Sequence, residues 1–136
     1  MKYIKVVFVV LMFSMTSCKE ETVTTIIEEN IVPVDVDLQS GFQDKSIKVF
    51  FNNQVSFQAM LSGLVPLSGP IASFSTQLER GSTSLKVRWQ TNNSGLVFKI
   101  DSTSIVLGKS AKYYIGIEIK NDSVKTRVQE VPFNYF

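Results

Sequence analysis

Along most of this chain, apolar and polar residues alternate one by one. From Val32 onward, Val34, Val36 and Leu38 alternate with Asp35 and Asp37, the period-two pattern of a strand with one buried and one wet face. Ile47, Val49 and Phe51 repeat it. Asn52-Asn53, a pair that tolerates positive backbone angles, then predicts a tight turn before Val55, Phe57 and Ala59 resume, so this stretch reads as a hairpin. Glycines and prolines between Ser62 and Pro70 predict a loop, one that can fold Leu64, Val65 and Leu67 back over an open end of the sheets. Ala72, Phe74, Thr76 and Leu78 face one way, Glu79 to Ser82 turns, and Leu85, Val87 and Trp89 face inward against outward Lys86 and Arg88. That reads as a second hairpin with Trp89 in the core. After a turn over 91–95, Leu96, Phe98 and Ile100 alternate, and Ile105 to Leu107 is a further short strand. Tyr113, Ile115, Ile117 and Ile119 pair with Val124, Thr126 and Val128 across Asn121-Asp122-Ser123. No stretch shows a helical period.

Seven to eight short strands separated by frequent turn signals predict an all-β, antiparallel sandwich over residues 32–136, immunoglobulin-like in the broad sense. A small closed barrel is the alternative, and the cysteine pair and tyrosine corner of true immunoglobulin domains are missing, which leaves the topology open. A terminal Phe136 on an amphipathic last strand would suit an outer-membrane barrel. Pro132 interrupts that strand, however, and Lys125 and Arg127 put charge where lipid would lie, so the sequence speaks against it.

Ahead of the alternating region the pattern is different. Lys2 and Lys5 precede an unbroken apolar run from Val6 to Phe13, followed by small or polar residues to Ser17, the layout of a secretory signal peptide over residues 1–17. The run falls short of the about 20 apolar residues a membrane-spanning helix needs. Met15-Thr16-Ser17-Cys18 resembles the lipobox of bacterial lipoproteins, with Met15 in place of the usual Leu. That resemblance implies cleavage before Cys18 and lipidation of Cys18, whose acyl chains give a firm membrane anchor. Cys18 is the one cysteine, so no disulfide forms within the chain. Lys19, Glu20 and Glu21 resemble the short charged export signal of Bacteroidota-type lipoproteins, which implies an outer-membrane location with the cell surface favoured over the periplasmic face. Residues 18–31, rich in Thr and Glu, read as the lipidated N-terminus and a tether. The whole is similar to the small, uncharacterised β-sandwich lipoproteins of such envelopes, a resemblance that covers the leader specifically and the domain only in style.

The net charge of +2 belongs to the precursor. Without Lys2 and Lys5, twelve basic side chains face twelve acidic ones, which removes the clustered excess that nucleic-acid binding wants. The chain contains no histidine. That excludes Ser-His-Asp and Cys-His nucleophile systems and histidine metal ligands, and it removes the side chain best suited to proton transfer at neutral pH. An acylated Cys18 offers no thiolate, and Gly-rich phosphate loops are absent. The expectation is a protein that is not an enzyme and carries no cofactor.

The remaining candidates are few. Asp35 and Asp37 lie two apart on a strand, so their carboxylates share a face and, with Asp44 or Asp122, could hold calcium; the run is sparse for a dedicated site and reads better as a solvated strand face. Tyr113 and Tyr114 are adjacent, so one faces the core and the other solvent. Tyr114 outward, with Tyr135 and the neighbouring Phe133 and Phe136, could contact a glycan or a protein partner, or the terminal aromatics could pack as a closing strand. Asp101-Ser102-Thr103 and Asp122-Ser123-Val124 resemble the acceptor that Bacteroidota-type systems O-glycosylate, with Ser102 and Ser123 expected in turns. The sequence thus predicts a non-catalytic binding or interaction module at the cell envelope, or alternatively a structural subunit of an envelope assembly.

Overall fold

A computed structural model describes residues 30–63, 66, 68–91 and 97–136. The expected leader and lipobox, Cys18, Lys19 to Glu21, most of the expected tether, Leu64, Val65, Leu67 and residues 92–96, which include most of the turn expected over 91–95, lie outside the described residues. Among the described residues the regular elements are eight strands: β1 (Ile31–Leu38), β2 (Lys45–Phe51), β3 (Gln54–Leu61), β4 (Ala72–Glu79), β5 (Gly81–Thr91), β6 (Lys99–Leu107), β7 (Tyr113–Lys120) and β8 (Ser123–Gln129). They form two four-stranded sheets, β4-β1-β7-β8 and β3-β2-β5-β6, packed as a sandwich.

Alternation decides which side chains fill the space between the sheets. Val32, Val34, Val36 and Leu38 of β1, Ile47, Val49 and Phe51 of β2, and Ile115 and Ile117 of β7 are all buried, as is Phe42 from the β1–β2 loop. Trp89 is buried with Leu85 and Val87 on β5, as its phase predicts, while Lys86 and Arg88 point outward. Tyr113 faces the core and Tyr114 outward. Both two-residue hairpin turns have positive φ at each central residue, 49° and 66° at Asn52-Asn53 and 52° and 58° at Asn121-Asp122, the twist that matches the flanking strands.

Four features differ from the sequence reading. First, β4 and β5 do not pair: β4 lies against β1 and β5 against β2 and β6, so the chain crosses from one sheet to the other at Arg80. Gly81, at φ +102°, turns the chain there, and Arg80 secures the corner by donating its N–H to the Asn30 carbonyl and its guanidinium to the carbonyls of Gly108 and Ser110. Second, β1 and β7 are parallel, within sheets otherwise antiparallel. Each connection reverses the chain, so odd-numbered strands all run the same way, and two odd strands that become neighbours must be parallel. Third, residues 99–107 form one strand in a single phase, not two separate runs, with Ile105 and Leu107 inward and Phe98 and Ile100 exposed. Asp101, in the inward phase, sits at the seam between sheets, where its carboxylate accepts the Ser102 and Val124 N–H groups at 2.8 Å each. Fourth, a bulge opposite Val49 and Phe50 shifts the register of β3, so Val55 pairs with outward Phe50 and is exposed while Phe57 stays inward, stacked on Phe74 at 4.8 Å.

Pro33 sits inside β1 without breaking it. Pairing with β7 begins at Val34, so Pro33 lies where β1 is flanked by β4 alone and a missing N–H is tolerated.

Strand direction also sorts the loops. Asn30, the Asn52-Asn53 turn, the Arg80 corner and the 108–112 connection share one end, where the chain enters the domain. The 39–44 loop, the last residues of β3 and β5, the first residues of β4 and β6 and the Asn121-Asp122 turn share the other.

Candidate functional site

The two outer faces carry different charge. On the β4-β1-β7-β8 face, Asp35, Asp37 and Glu118 are interspersed with Lys120, Lys125 and Arg127. Asp35 and Asp37 do project together, as their spacing predicts, but each is engaged within the protein. Asp35 accepts the Ser75 hydroxyl at 2.7 Å and pairs with Lys112 at 2.6 Å. The Lys112 hydrogen bond, then that of Ser75, hold its carboxyl below the usual carboxylate range, and the same contact raises Lys112 above an ordinary lysine. Asp37 accepts the hydroxyls of Ser73 and Tyr135 at 2.7 Å each. Neither Asp44 nor Asp122 joins them: Asp44 lies beside Gly63, and Asp122 pairs with Lys99. Among the described residues, no group of three or more His, Cys, Asp or Glu is placed to hold a metal ion.

The chain after β8 does not form a closing strand. It folds back over this face, where Tyr135 donates to Asp37 and accepts from the Gln39 amide at 3.1 Å, with Phe133 beside it and Arg127 6.0 Å from the Phe133 ring centre. Tyr114 is half-buried beneath the Lys112 ammonium, 5.2 Å from its ring centre. Burial, then the hydrogen bond to Asp37, push the Tyr135 phenol up to about 12. The unfolded chain ionises its tyrosines near pH 10, so the folded state holds this proton longer. The stabilisation is complete below about pH 10 and is lost as pH rises towards 12. Melting temperatures of the native chain and of Tyr135→Phe, measured across this range, should differ most at the lower pH and converge at the upper.

Ser102 and Ser123 lie in strands and not in turns. Ser102 is exposed in the middle of β6, opposite Lys86, because β6 runs unbroken through it; Ser123 is the half-buried first residue of β8, since the tight turn needs only Asn121 and Asp122.

The β3-β2-β5-β6 face is the more unusual. Its outward positions carry Lys48, Lys86 and Arg88 but no carboxylate. Lys48 and Arg88 stand directly opposite each other on β2 and β5, an arrangement in which like charges repel. Lys86 donates to the Asn53 side chain at 2.7 Å. Arg88 instead lies flat over the Phe98 ring, 3.7 Å from its centre, and its Nε is buried without a hydrogen-bond partner. In the next row towards the end far from Asn30, Ser46 pairs with Met60, which is 75% exposed; Ile100, opposite Arg88, is 62% exposed and Phe98 44%.

Between these side chains lies an open hollow of about 300 Å³ lined by Ser46, Lys48, Gln58, Met60, Arg88 and Phe98. That is at the lower limit of the roughly 300–1,000 Å³ of small-molecule sites, and suits one or two side chains of a partner better than an enclosed ligand. A gap of about 490 Å³ at the other end, between β3 and β4, is lined mainly by uncharged polar residues such as Asn52, Gln54, Ser56 and Thr76. It offers no comparable convergence of charge and apolar surface.

The sequence shows Lys86 and Arg88 as outward residues, but the opposition of Lys48 to Arg88 depends on pairing between strands forty residues apart, which periodicity does not carry. The alternation of Phe98 with Ile100 does not by itself say which way they face; the inward phase of Ile105 and Leu107, traced back through Thr103 and Asp101, is the signal that turns them out. Compared with known proteins, the chain matches no family model, no curated protein and no solved structure.

Proposed function

We propose that this chain is a lipid-anchored, non-catalytic binding module of a bacterial outer membrane, held by Cys18 and presenting its β3-β2-β5-β6 face to a partner in the envelope or at the cell surface. The observation that carries the binding role is the acid-free face on which Lys48 and Arg88 oppose each other beside exposed Met60, Phe98 and Ile100. A sequence selected for stability alone would intersperse carboxylates there, as the opposite face does, and would leave less apolar surface in one patch. The hollow lies near the end far from Asn30, so a tether running from Cys18 to that residue leaves the site accessible. We regard the domain as immunoglobulin-like only in the loose sense of a two-sheet sandwich with loops at both ends, because its strand order departs from the ABED and CFG sheets of immunoglobulin domains.

The alternative, a structural subunit assembling by strand addition, draws on β6, a nine-residue edge strand with exposed Ile100 and Val106. Several edges are protected, however. Asp101 ties β6 to β8, Lys125 and Arg127 charge β8, and a bulge distorts β3. These features favour the face over the edges.

Replacing Cys18 with Ala should move the protein from the membrane fraction to the soluble fraction with its β-sheet circular dichroism unchanged. Retention of the variant in the membrane would refute lipid anchoring through Cys18. Protease shaving of intact cells then separates the two locations: digestion before lysis places the domain at the surface, whereas protection until lysis places it in the periplasm and favours the assembly role.

A further inference from the structure

Resting on the binding role proposed above, we infer that the hollow on the β3-β2-β5-β6 face receives an acidic segment of a partner protein, with a carboxylate between Lys48 and Arg88 and a neighbouring apolar side chain against Met60 and Phe98. Charge complementarity is the first argument. Lys48 and Arg88 face each other across β2 and β5, and an anion between them converts a repulsion into two attractions. The second is preorganisation. Stacking on Phe98 fixes the plane of the Arg88 guanidinium, whose buried Nε has no hydrogen-bond partner, so the group is oriented by the ring and not by an acceptor within the domain, and an incoming carboxylate meets a cation already held in place.

The apolar surroundings select among anionic partners. Sugars stack on open, flat aromatic faces, and one face of Phe98 is covered by Arg88. A membrane headgroup layer meets a convex or flat surface, whereas this site is concave and includes the hydrogen-bonding side chains of Ser46 and Gln58. A peptide supplies all three complements in one strand: carboxylates, aliphatic side chains and backbone groups that pair with Ser46 and Gln58.

The test uses the purified full chain and a fluorescently labelled random copolymer of glutamate and tyrosine, which samples many local acidic and apolar sequences, with binding followed by anisotropy. Saturable binding that weakens with added salt is expected, together with no binding of a lysine–tyrosine copolymer. Lys48→Glu should weaken binding at least about tenfold while leaving the melting temperature unchanged or raised, because a glutamate opposite Arg88 replaces repulsion with an ion pair. Loss of binding with retained stability separates a contact residue from a merely structural one.

Failure of the copolymer to bind, or binding indifferent to Lys48→Glu, overturns the inference. If polygalacturonate or phosphatidylglycerol vesicles bind in a Lys48-dependent way while the copolymer does not, the peptide assignment falls and the binding role stands. The lipid anchor is tested separately by Cys18→Ala, so the two failures are distinguishable.

Discussion

Trp89→Ala should destabilise the domain by about 3–5 kcal/mol, measured as a shift of the urea midpoint at unchanged slope. Trp89 is the largest of the fully buried side chains and stands on β5 opposite Ile47 of β2, in the middle of the space between the sheets. Removing its indole deletes a large apolar surface and leaves a cavity that two hydrogen-bonded sheets cannot easily close. The size of the expected loss is a substantial part of the roughly 5–15 kcal/mol that holds a domain of this kind together. Arg88→Ala, one residue earlier on the outer face, is the natural comparison. It removes the stack on Phe98 but no core contact, and should cost about 1 kcal/mol or less. The ratio of the two effects measures the phase of β5. If Trp89→Ala cost less than Arg88→Ala, β5 would be inverted and the cationic face would be the interior, which would remove the basis for the binding site as well.

The phase of β5 was legible in the sequence because Leu85, Val87 and Trp89 alternate with Lys86 and Arg88 without interruption. The same holds for β1, β2 and β7, and the two asparagine-containing turns declared themselves through residues that accept positive φ. What periodicity could not supply was anything decided between distant segments. The crossing at Arg80 looks like a hairpin turn, since two alternating runs flank a glycine in either case, and only the pairing of β4 with β1 distinguishes them. The parallel neighbours β1 and β7 arise from the order of crossings between sheets, which leaves no local trace. In β6, Ile100 and Ile105 belong to opposite phases of one strand, so a reading that groups apolar residues divides the strand in two. The candidate site shares this origin. Its charges were visible singly, but their opposition is a property of register between β2 and β5. On the other face, the fold-back that engages Tyr135 with Asp37 joins residues nearly a hundred positions apart.

Gly41→Ala should cost about 3 kcal/mol, although the residue lies in a loop and contributes no side chain. Gly41 has a φ of +82°, and a Cβ built there would fall 2.1 Å from the backbone carbonyl oxygen of Ile119 on β7, closer than any such contact can be. The left-handed backbone alone costs an L-residue about 1 kcal/mol. The clash adds more, because the obstacle is a strand backbone and not the movable end of a side chain. To relieve it the loop must lift from β7, which strains the hydrogen bond from the Ile119 N–H to the Ser40 carbonyl at 2.9 Å and that from the Gln39 N–H to the Ile117 carbonyl at 2.8 Å, each worth about 1 kcal/mol. Phe42, fully buried on the other side of Gly41, would move with it. Gly81→Ala separates the two contributions: Gly81 also has positive φ, at +102°, but a Cβ there meets nothing within 4 Å, so only the conformational cost of about 1 kcal/mol is expected. Equal losses for the two variants, compared by thermal or urea unfolding, would show that the contact with Ile119 carries no weight. A larger loss at Gly41 would establish that the β1–β2 loop is clamped to β7. The clamp bears on the proposed site, since this loop leads directly into β2 and sets where Ser46 and Lys48 begin the cationic face.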